Sequence, residues 1–524
     1  MDPINEPLLS SSSQRNCSRS KVLLVTPILV ATLLCLCFAA FLLLSPATVT
    51  VDLCTNSPDP ASCHAIVAEA VLTSPDARPS RPVQVLRAIL ARSLHQHDAA
   101  AHAVAGMHRR ASDPRQRAAL ADCVQLMELA RDRLAGAADQ ASVAPEDART
   151  WLSAALTDHV TCLDGLDDGP PRDAVEAQLE PLKSLASASL AVLNAVGSCT
   201  AADDIARGVL AEAAANELPS WVTADRALLE GPRAVQADVV VAKDGSGKYK
   251  TVQAAVDAAP DGGKSRYVIY VRKGVYKENV EPQRGRRRHH FQLGHSSRGG
   301  RRGHPTGIEN TAGPEKHQAV ALRVSADRAV INRCRVDGYQ DTLYAHQLRQ
   351  FYRDCAVSGT VDFVFGNAAV VLQNCVITAR RPARGQKNAV TAQGRMDPNQ
   401  NTGTSIQRCR IVPADDLAPV AEASPTFLGR PWKAYSRTVY MQSYLGAHIH
   451  PRGWLEWDGD FALNTLFYGE YANEGPGAGM AGRVKWPGYR VITDRSVAVQ
   501  FTVGQFIQGG YWLKGTGVAY DDGL

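Results

Sequence analysis

Between Asp52 and Thr200 the chain has no phenylalanine and no tyrosine, a single tryptophan, and only five of the 41 glycines. Strands and tight turns draw on those residue types, so this stretch is not a sheet and is expected to be helical. Acidic residues are missing from Pro282 to Ile308, where seven arginines stand. Outside that run 50 basic residues face 52 acidic ones, so the net charge of +5 is local to it. A nucleic-acid footprint spreads Lys and Arg over a folded face, which argues against a polyanion binder. Nor is the chain charge-rich or short of hydrophobics: 45% apolar and 21% charged residues exclude a mostly disordered protein. Its 524 residues are too many for one ordinary domain and imply two or three.

Long uncharged runs are equally scarce, and the notable one spans Val22 to Leu44, 23 residues without a charge. That is enough to cross about 30 Å of hydrocarbon as a helix and longer than the core of a cleaved signal. Arg15, Arg19 and Lys21 precede it, and no Lys or Arg follows until Arg78. The positive-inside rule then keeps residues 1–21 in the cytosol and exports the rest, which reads as a signal anchor. A long cleaved signal is the other reading, because small residues such as Ser45 and Ala47 follow the run.

Export makes the cysteines interpretable, since an oxidising lumen permits disulfides. Beyond the apolar run, Cys54, Cys63, Cys123, Cys162 and Cys199 form one group and Cys334, Cys355, Cys375 and Cys409 another, as two domains would. In the first region Leu120, Cys123, Met127, Ala130 and Leu134 recur at three and four residues, and Val175, Leu179, Leu182, Ala186 and Leu193 lie along a second stripe. An antiparallel helical bundle follows. Cys54 and Cys63 flank a turn-rich Ser57-Pro58-Asp59-Pro60, and Cys123 and Cys162 stand where two helices could be stapled. Spacing alone leaves the connectivity open.

After Gly231-Pro232 short apolar runs bounded by glycines take over, beginning with Val239–Val241 and Tyr267–Val271. Segments of one shape then repeat: Ile331–Val336, Tyr352–Val357, Leu372–Ile377 and Ile406–Ile411, each with a central cysteine. A period near 20 with β-branched strands predicts an all-β right-handed parallel β-helix. In such a solenoid, residues one period apart become neighbours about 4.8 Å apart. Asp341 and Asp362 are each seven residues past the cysteine of their own repeat, which places them side by side on adjacent coils. Gln318 and Gln340 extend the same polar column. Two carboxylates that close cannot both ionise easily, so one serves as an acid and the other stays anionic as a nucleophile.

Four motifs, in order, carry a family resemblance: Gln318–Leu322, Gln340–Tyr344, Asp362–Gly366 and Leu428–Trp432. The second half resembles the plant pectin methylesterases, and residues 52–200 resemble the inhibitor domain that precedes the enzyme in longer family members. The resemblance implies hydrolysis of methyl esters of cell-wall homogalacturonan, giving demethylated pectin and methanol. It casts Asp362 as nucleophile and Asp341 as acid, then base. Gln318 and Gln340 become oxyanion donors, Arg430 the partner that keeps Asp362 ionised, and Trp432, Tyr344 and Phe365 the lining of the sugar subsites. It pairs Cys334 with Cys355 in a disulfide. It also divides the chain into a cytosolic N-terminus (1–21), an anchor (22–44), a four-helix-bundle inhibitor-like pro-domain (52–200), a linker (201–236) and a β-helix enzyme domain (237–524). In the linker Arg226-Ala227-Leu228-Leu229 stands where the family has a basic processing site with one more arginine. No metal or cofactor is expected, because the histidines and carboxylates show no zinc spacing and a carboxylate pair cleaves esters without one.

One departure stands out. From 282 to 307 the arginine-rich text replaces the apolar strands and substrate loop of the family, as a frame or splice error would. The expected consequence is one or two coils without their strands and an unfilled core beside the catalytic coils. That keeps in view an inhibitory or binding protein with an impaired β-helix; a glycosidase or lyase acting on the same polymer is the other alternative, since β-helices host both and paired carboxylates also serve glycoside hydrolysis.

Overall fold

The computed structural model describes residues 52–206, 237–260, 267–272, 274–276, 280, 291–294, 306–309, 313, 315 and 318–524, with side chains left out at 197–206, 275, 291–294, 306 and 307. The apolar run 22–44 and the processing motif at Arg226 lie outside these residues. Among the described residues no helix is long and apolar enough to cross a membrane.

The aromatic-poor region is helical throughout: α1 (Pro60–Thr73), α2 (Pro82–Arg110), α3 (Pro114–Gln140), α4 (Pro145–Asp164) and α5 (Pro170–Ala206). Every one of them starts on a proline, whose missing N–H costs nothing in the first turn. Asp59 and Asp113 cap α1 and α3 by accepting from the amides of Ser62 and Gln116. Loops of three to five residues join the four long helices, which makes sequential helices antiparallel neighbours. Both stripes read from the sequence are core, with Leu120, Cys123, Met127, Ala130 and Leu134 and Val175, Leu179, Leu182, Ala186 and Leu193 all buried. The disulfides Cys54–Cys63 and Cys123–Cys162 close the bundle. The second links α3 to α4 across 39 residues. Replacing Cys123 and Cys162 together by serine is expected to lower stability by about 2–4 kcal/mol. Urea unfolding of the chain checks this through the midpoint of the helical transition.

From Val239 onward the chain winds into a parallel β-helix whose three sheets have ten, seven and five strands among the described residues. A representative coil contributes Arg349–Arg353, Ala356–Gly359 and Val364–Gly366. It pairs in parallel with Ala329–Asn332, Cys334–Asp337 and Leu343–Ala345 on one side, and with Ala369–Gln373, Val376–Ala379 and Asn388–Gln393 on the other. Five successive turns from the first sheet to the second each use one left-handed residue: Arg333, Asp354, Asn374, Arg408 and Gln442 have φ between 53° and 56°. This single αL step bends the strand and sends the next residue, Cys334, Cys355, Cys375, Cys409 or Ser443, into the core. Three short C-terminal helices then cover the outer face of the first sheet, packing Phe501, Phe506 and Trp512 on Val330, Phe351, Val371 and Val439.

Two expectations need correction. No disulfide joins Cys334 to Cys355, and Cys375 and Cys409 likewise form none. In-register parallel strands hold these side chains parallel instead of convergent, so each thiol turns to a carbonyl: Cys355 to Ile331 (3.4 Å) and Cys409 to Leu372 (3.3 Å). The second correction concerns the arginine-rich text, which does contain strands. Phe291–Gly294 joins the first sheet with Leu293 between Ile269 and Ile331, and Thr306–Glu309 joins the second with Ile308 between Tyr276 and Val336. Apolar residues at alternate positions suffice to continue the register between arginines, so the coil keeps two of its strands.

Candidate active site

The aspartate pair sits where the third sheet begins. Leu343–Ala345 and Val364–Gly366 pair with an offset of 21 residues, so Asp341 and Asp362 stand opposite each other on neighbouring coils. The Asp341 amide donates to the Val361 carbonyl (3.0 Å). Both aspartates are left-handed, with φ of 63° and 53°, a conformation Asp tolerates and which turns each carboxyl at the mouth of its strand. Both are buried.

Their electrostatics differ because one has a partner. Arg430 follows the strand Thr426–Gly429 and grips Asp362 with two nitrogens, Nε to Oδ1 at 2.9 Å and Nη2 to Oδ2 at 2.6 Å. Burial raises the pKa of Asp362, and the hydrogen bonds and charge of Arg430 oppose that rise. Asp341 is pushed up to about 8, first by burial and then by the charge of Asp362, with Arg430 as a weaker counterweight. The arrangement is one carboxyl held in a guanidinium fork, which favours its anion, beside a second whose raised pKa favours the protonated acid.

Three residues past each aspartate lies an aromatic ring. Tyr344 and Phe365 stack at 4.3 Å between centroids, and Trp432 meets both edge-on at 6.4 and 5.9 Å. Gly394 makes room for the indole, since a Cβ there would lie 2.8 Å from Trp432 Cε3. The sequence argument missed Trp457, a partly exposed ring over which the Arg430 guanidinium lies at 4.4 Å. The amides fit the expected column less neatly. Gln318 is exposed and Gln340 half-buried. The Ala319 amide, not that of Gln318, donates to the Gln340 carbonyl (3.2 Å), because their spacing of 22 is one residue out of the 21-residue register.

The bundle also reaches this site, through α4. Asp147 pairs with Arg349 (2.7 Å) and Arg328 (3.1 Å), and Thr150 accepts from Asn401 (2.9 Å). Thr157 accepts from Asn367, Asp158 from Gln347 and Thr161 bonds His346, each at 2.9 Å. At the C-terminal end Asp164 pairs with Lys433 (2.9 Å), whose ammonium lies 5.1 Å from the Trp432 ring. His346 packs on Tyr344 at 4.8 Å, so the last turn of α4 lies beside the aromatic trio. These α4 residues recur at helical spacing and form a polar stripe. Read alone, such a stripe is a solvated face.

As for metal ligands, Asp52, Cys54 and His64 come within reach of one another, but the sulfur of Cys54 is committed to its disulfide.

Comparison with known proteins agrees with this geometry. Residues 238–295 and 303–510 match the Pectinesterase family, and residues 49–192 match the Plant invertase/pectin methylesterase inhibitor family. The match runs through most of the arginine-rich segment and breaks only at 296–302. Pectinesterase 2.2 of Solanum lycopersicum is 48% identical over 505 residues, covering 90% of each chain. Pectinesterase/pectinesterase inhibitor 18 of Arabidopsis thaliana is 45% identical over 514 residues, covering 91% of this chain and 90% of the relative. The solved pectin methylesterase from carrot is 50% identical, with a TM-score of 0.50, over 56% of this chain and 99% of its own. With a carboxylate pair on adjacent coils of a parallel β-helix, and a helical domain of the inhibitor type ahead of it, the chain belongs to the pectinesterase family.

Proposed function

We propose that Asp362 and Asp341 carry out the hydrolysis of pectin methyl esters, Asp362 as nucleophile and Asp341 as acid and base. The observation behind this assignment is the single guanidinium: Arg430 contacts Asp362, and Asp341 has no such fork. The ionised Asp362 oxygen attacks the C6 carbonyl carbon of a methylated galacturonate, and the carbonyl π electrons move to its oxygen. Gln318 and Gln340 donate to that oxyanion, each well-placed donor being worth about 3 kcal/mol. Collapse breaks the bond to the methoxy oxygen, Asp341 gives it a proton, and methanol leaves an acyl anhydride on Asp362. Water then attacks the acyl carbon, its proton goes to the Asp341 carboxylate, and collapse frees the acid and Asp362. Tyr344, Phe365 and Trp432 offer faces to the sugar rings.

With α4 against the aromatic trio, the bundle restrains this chemistry in the uncut chain. The catalytic unit is then residues 237–524, the inhibitory unit 52–200, and cutting in the linker near Arg226 separates them. The polymer substrate places the work in the cell wall, reached by export.

Incubating the purified chain with highly methylated pectin is expected to release methanol without shortening the polymer. Chain shortening or a new unsaturated-product absorbance would overturn the esterase reading. The pH profile has a definite sign. Asp341 must be protonated to act as acid, so methanol release falls as pH rises through about 8. Asp362 must be ionised, so release also falls at low pH as its raised pKa is crossed.

A further inference from the structure

Away from the aspartate pair, a cavity of about 210 Å³ opens between the bundle and the β-helix. Three arginines line it: Arg149 from α4, Arg395 after the strand Asn388–Gln393, and Arg437 at the start of the strand Arg437–Met441. Arg149 is paired with Glu146 (3.2 Å), the one carboxylate in the lining, while its buried Nε has no hydrogen-bond partner. Arg395 is spent on main-chain carbonyls of Asp397 and Pro398. The carboxyl of neighbouring Asp397 is occupied instead by the Ser187 hydroxyl and the Asn399 amide. Arg437 donates to the Thr402 carbonyl (2.7 Å) and rests against Phe501 and Phe506. Among the described residues neither Arg395 nor Arg437 forms an ion pair.

Such a cluster is electrostatically incomplete. Burial and the like charges of Arg395 and Arg149 depress the pKa of Arg437, while for Arg395 the charge of Asp397 offsets part of the effect of burial. Buried cations of this density call for an anion. Guanidinium forks match a planar carboxylate in particular. The space exceeds what one small inorganic ion fills, since liquid water takes about 30 Å³ per molecule.

We infer that this cavity binds a sugar carboxylate, a single galacturonate or the end residue of a demethylated chain, between Arg149, Arg395 and Arg437. The inference rests on the pectin methylesterase reading, for it makes the ligand a product of the reaction. Because Arg149 belongs to the bundle and the other two arginines to the β-helix, the bound uronate bridges them. A ligand that needs both walls binds the docked form alone and shifts the chain toward it by mass action. Accumulated product thus strengthens the restraint on the enzyme.

Calorimetric titration of the full-length chain with galacturonate is the test, with galactose, methyl galacturonate and inorganic phosphate as parallel ligands. Galacturonate is expected to bind with a Kd of about 1 mM, and galactose and the methyl ester at least roughly tenfold more weakly. Phosphate binding as tight as galacturonate would make this a general anion site and overturn the uronate assignment. Arg437→Gln and Arg149→Gln should each weaken galacturonate binding by about tenfold. Arg149→Gln decides alone should Arg437→Gln fail to fold. Unchanged affinity in a folded Arg149→Gln, or no galacturonate binding to the parent chain, overturns the proposal. Methanol release from pectin, measured separately, distinguishes these results from a failure of the esterase reading itself.

Discussion

Asp362→Asn is expected to lower kcat for methanol release by at least about 10⁴-fold while leaving KM for methylated pectin nearly unchanged. The amide has nearly the shape of the carboxylate, so the coil, the left-handed turn and the stacked rings stay in place. What disappears is the nucleophile, because an amide oxygen does not form the acyl intermediate. Asp341→Asn removes the proton donor instead and should cost about 10² to 10⁴-fold. In Asp362→Asn the Arg430 guanidinium loses its anion, so the variant's melting midpoint must be measured alongside. Single-turnover methanol assays at substrate saturation make the comparison. A well-folded Asp362→Asn keeping a tenth of the parent rate would remove Asp362 from the chemistry, whatever the fold.

The second large effect runs in the opposite direction. Thr157 lies in the middle of the polar stripe of α4, buried, with its hydroxyl accepting from Asn367. Thr157→Arg puts a guanidinium into that contact, where the adjacent buried carboxylate, Asp158, is already bonded to Gln347 and Arg133. Burying an unpaired charge costs several kcal/mol, and about 3 kcal/mol is enough to weaken docking by roughly 10²-fold. The substitution faces the β-helix and leaves the leucine core of the bundle untouched. Methanol release by the uncut chain should therefore rise by about 10 to 100-fold, while a preparation freed of its bundle keeps the same rate with or without the change. Equal rates for the parent and Thr157→Arg chains, both uncut, would mean that the docked bundle does not restrain the enzyme.

How much of this was written in the sequence depends on the range of the interaction. The bundle stripes are local patterns, and Leu120 to Leu134 and Val175 to Leu193 are buried where their three- and four-residue spacing placed them. The coils are nearly local too: a 21-residue period in Cys334 and Cys355 also sets Asp341 opposite Asp362, because parallel register preserves sequence offset. The same rule sets Gln318 one residue out of register, since its offset of 22 from Gln340 exceeds that period by one. Cysteine chemistry failed for a related reason. Spacing brought Cys334 and Cys355 to adjacent coils but says nothing of whether their sulfurs converge.

By itself, then, the order of residues determined two domain types, the coil register and the pair of acids, since each depends on neighbours close along the chain or one repeat away. Only the tertiary structure decided that Arg430, 68 residues from Asp362, joins one acid and not the other, that α4 turns its polar stripe onto the β-helix, and that Arg149, Arg395 and Arg437 share one cavity. Those are contacts between surfaces that no periodicity relates. Their electrostatics arise only when burial strips away water and leaves charges to answer one another.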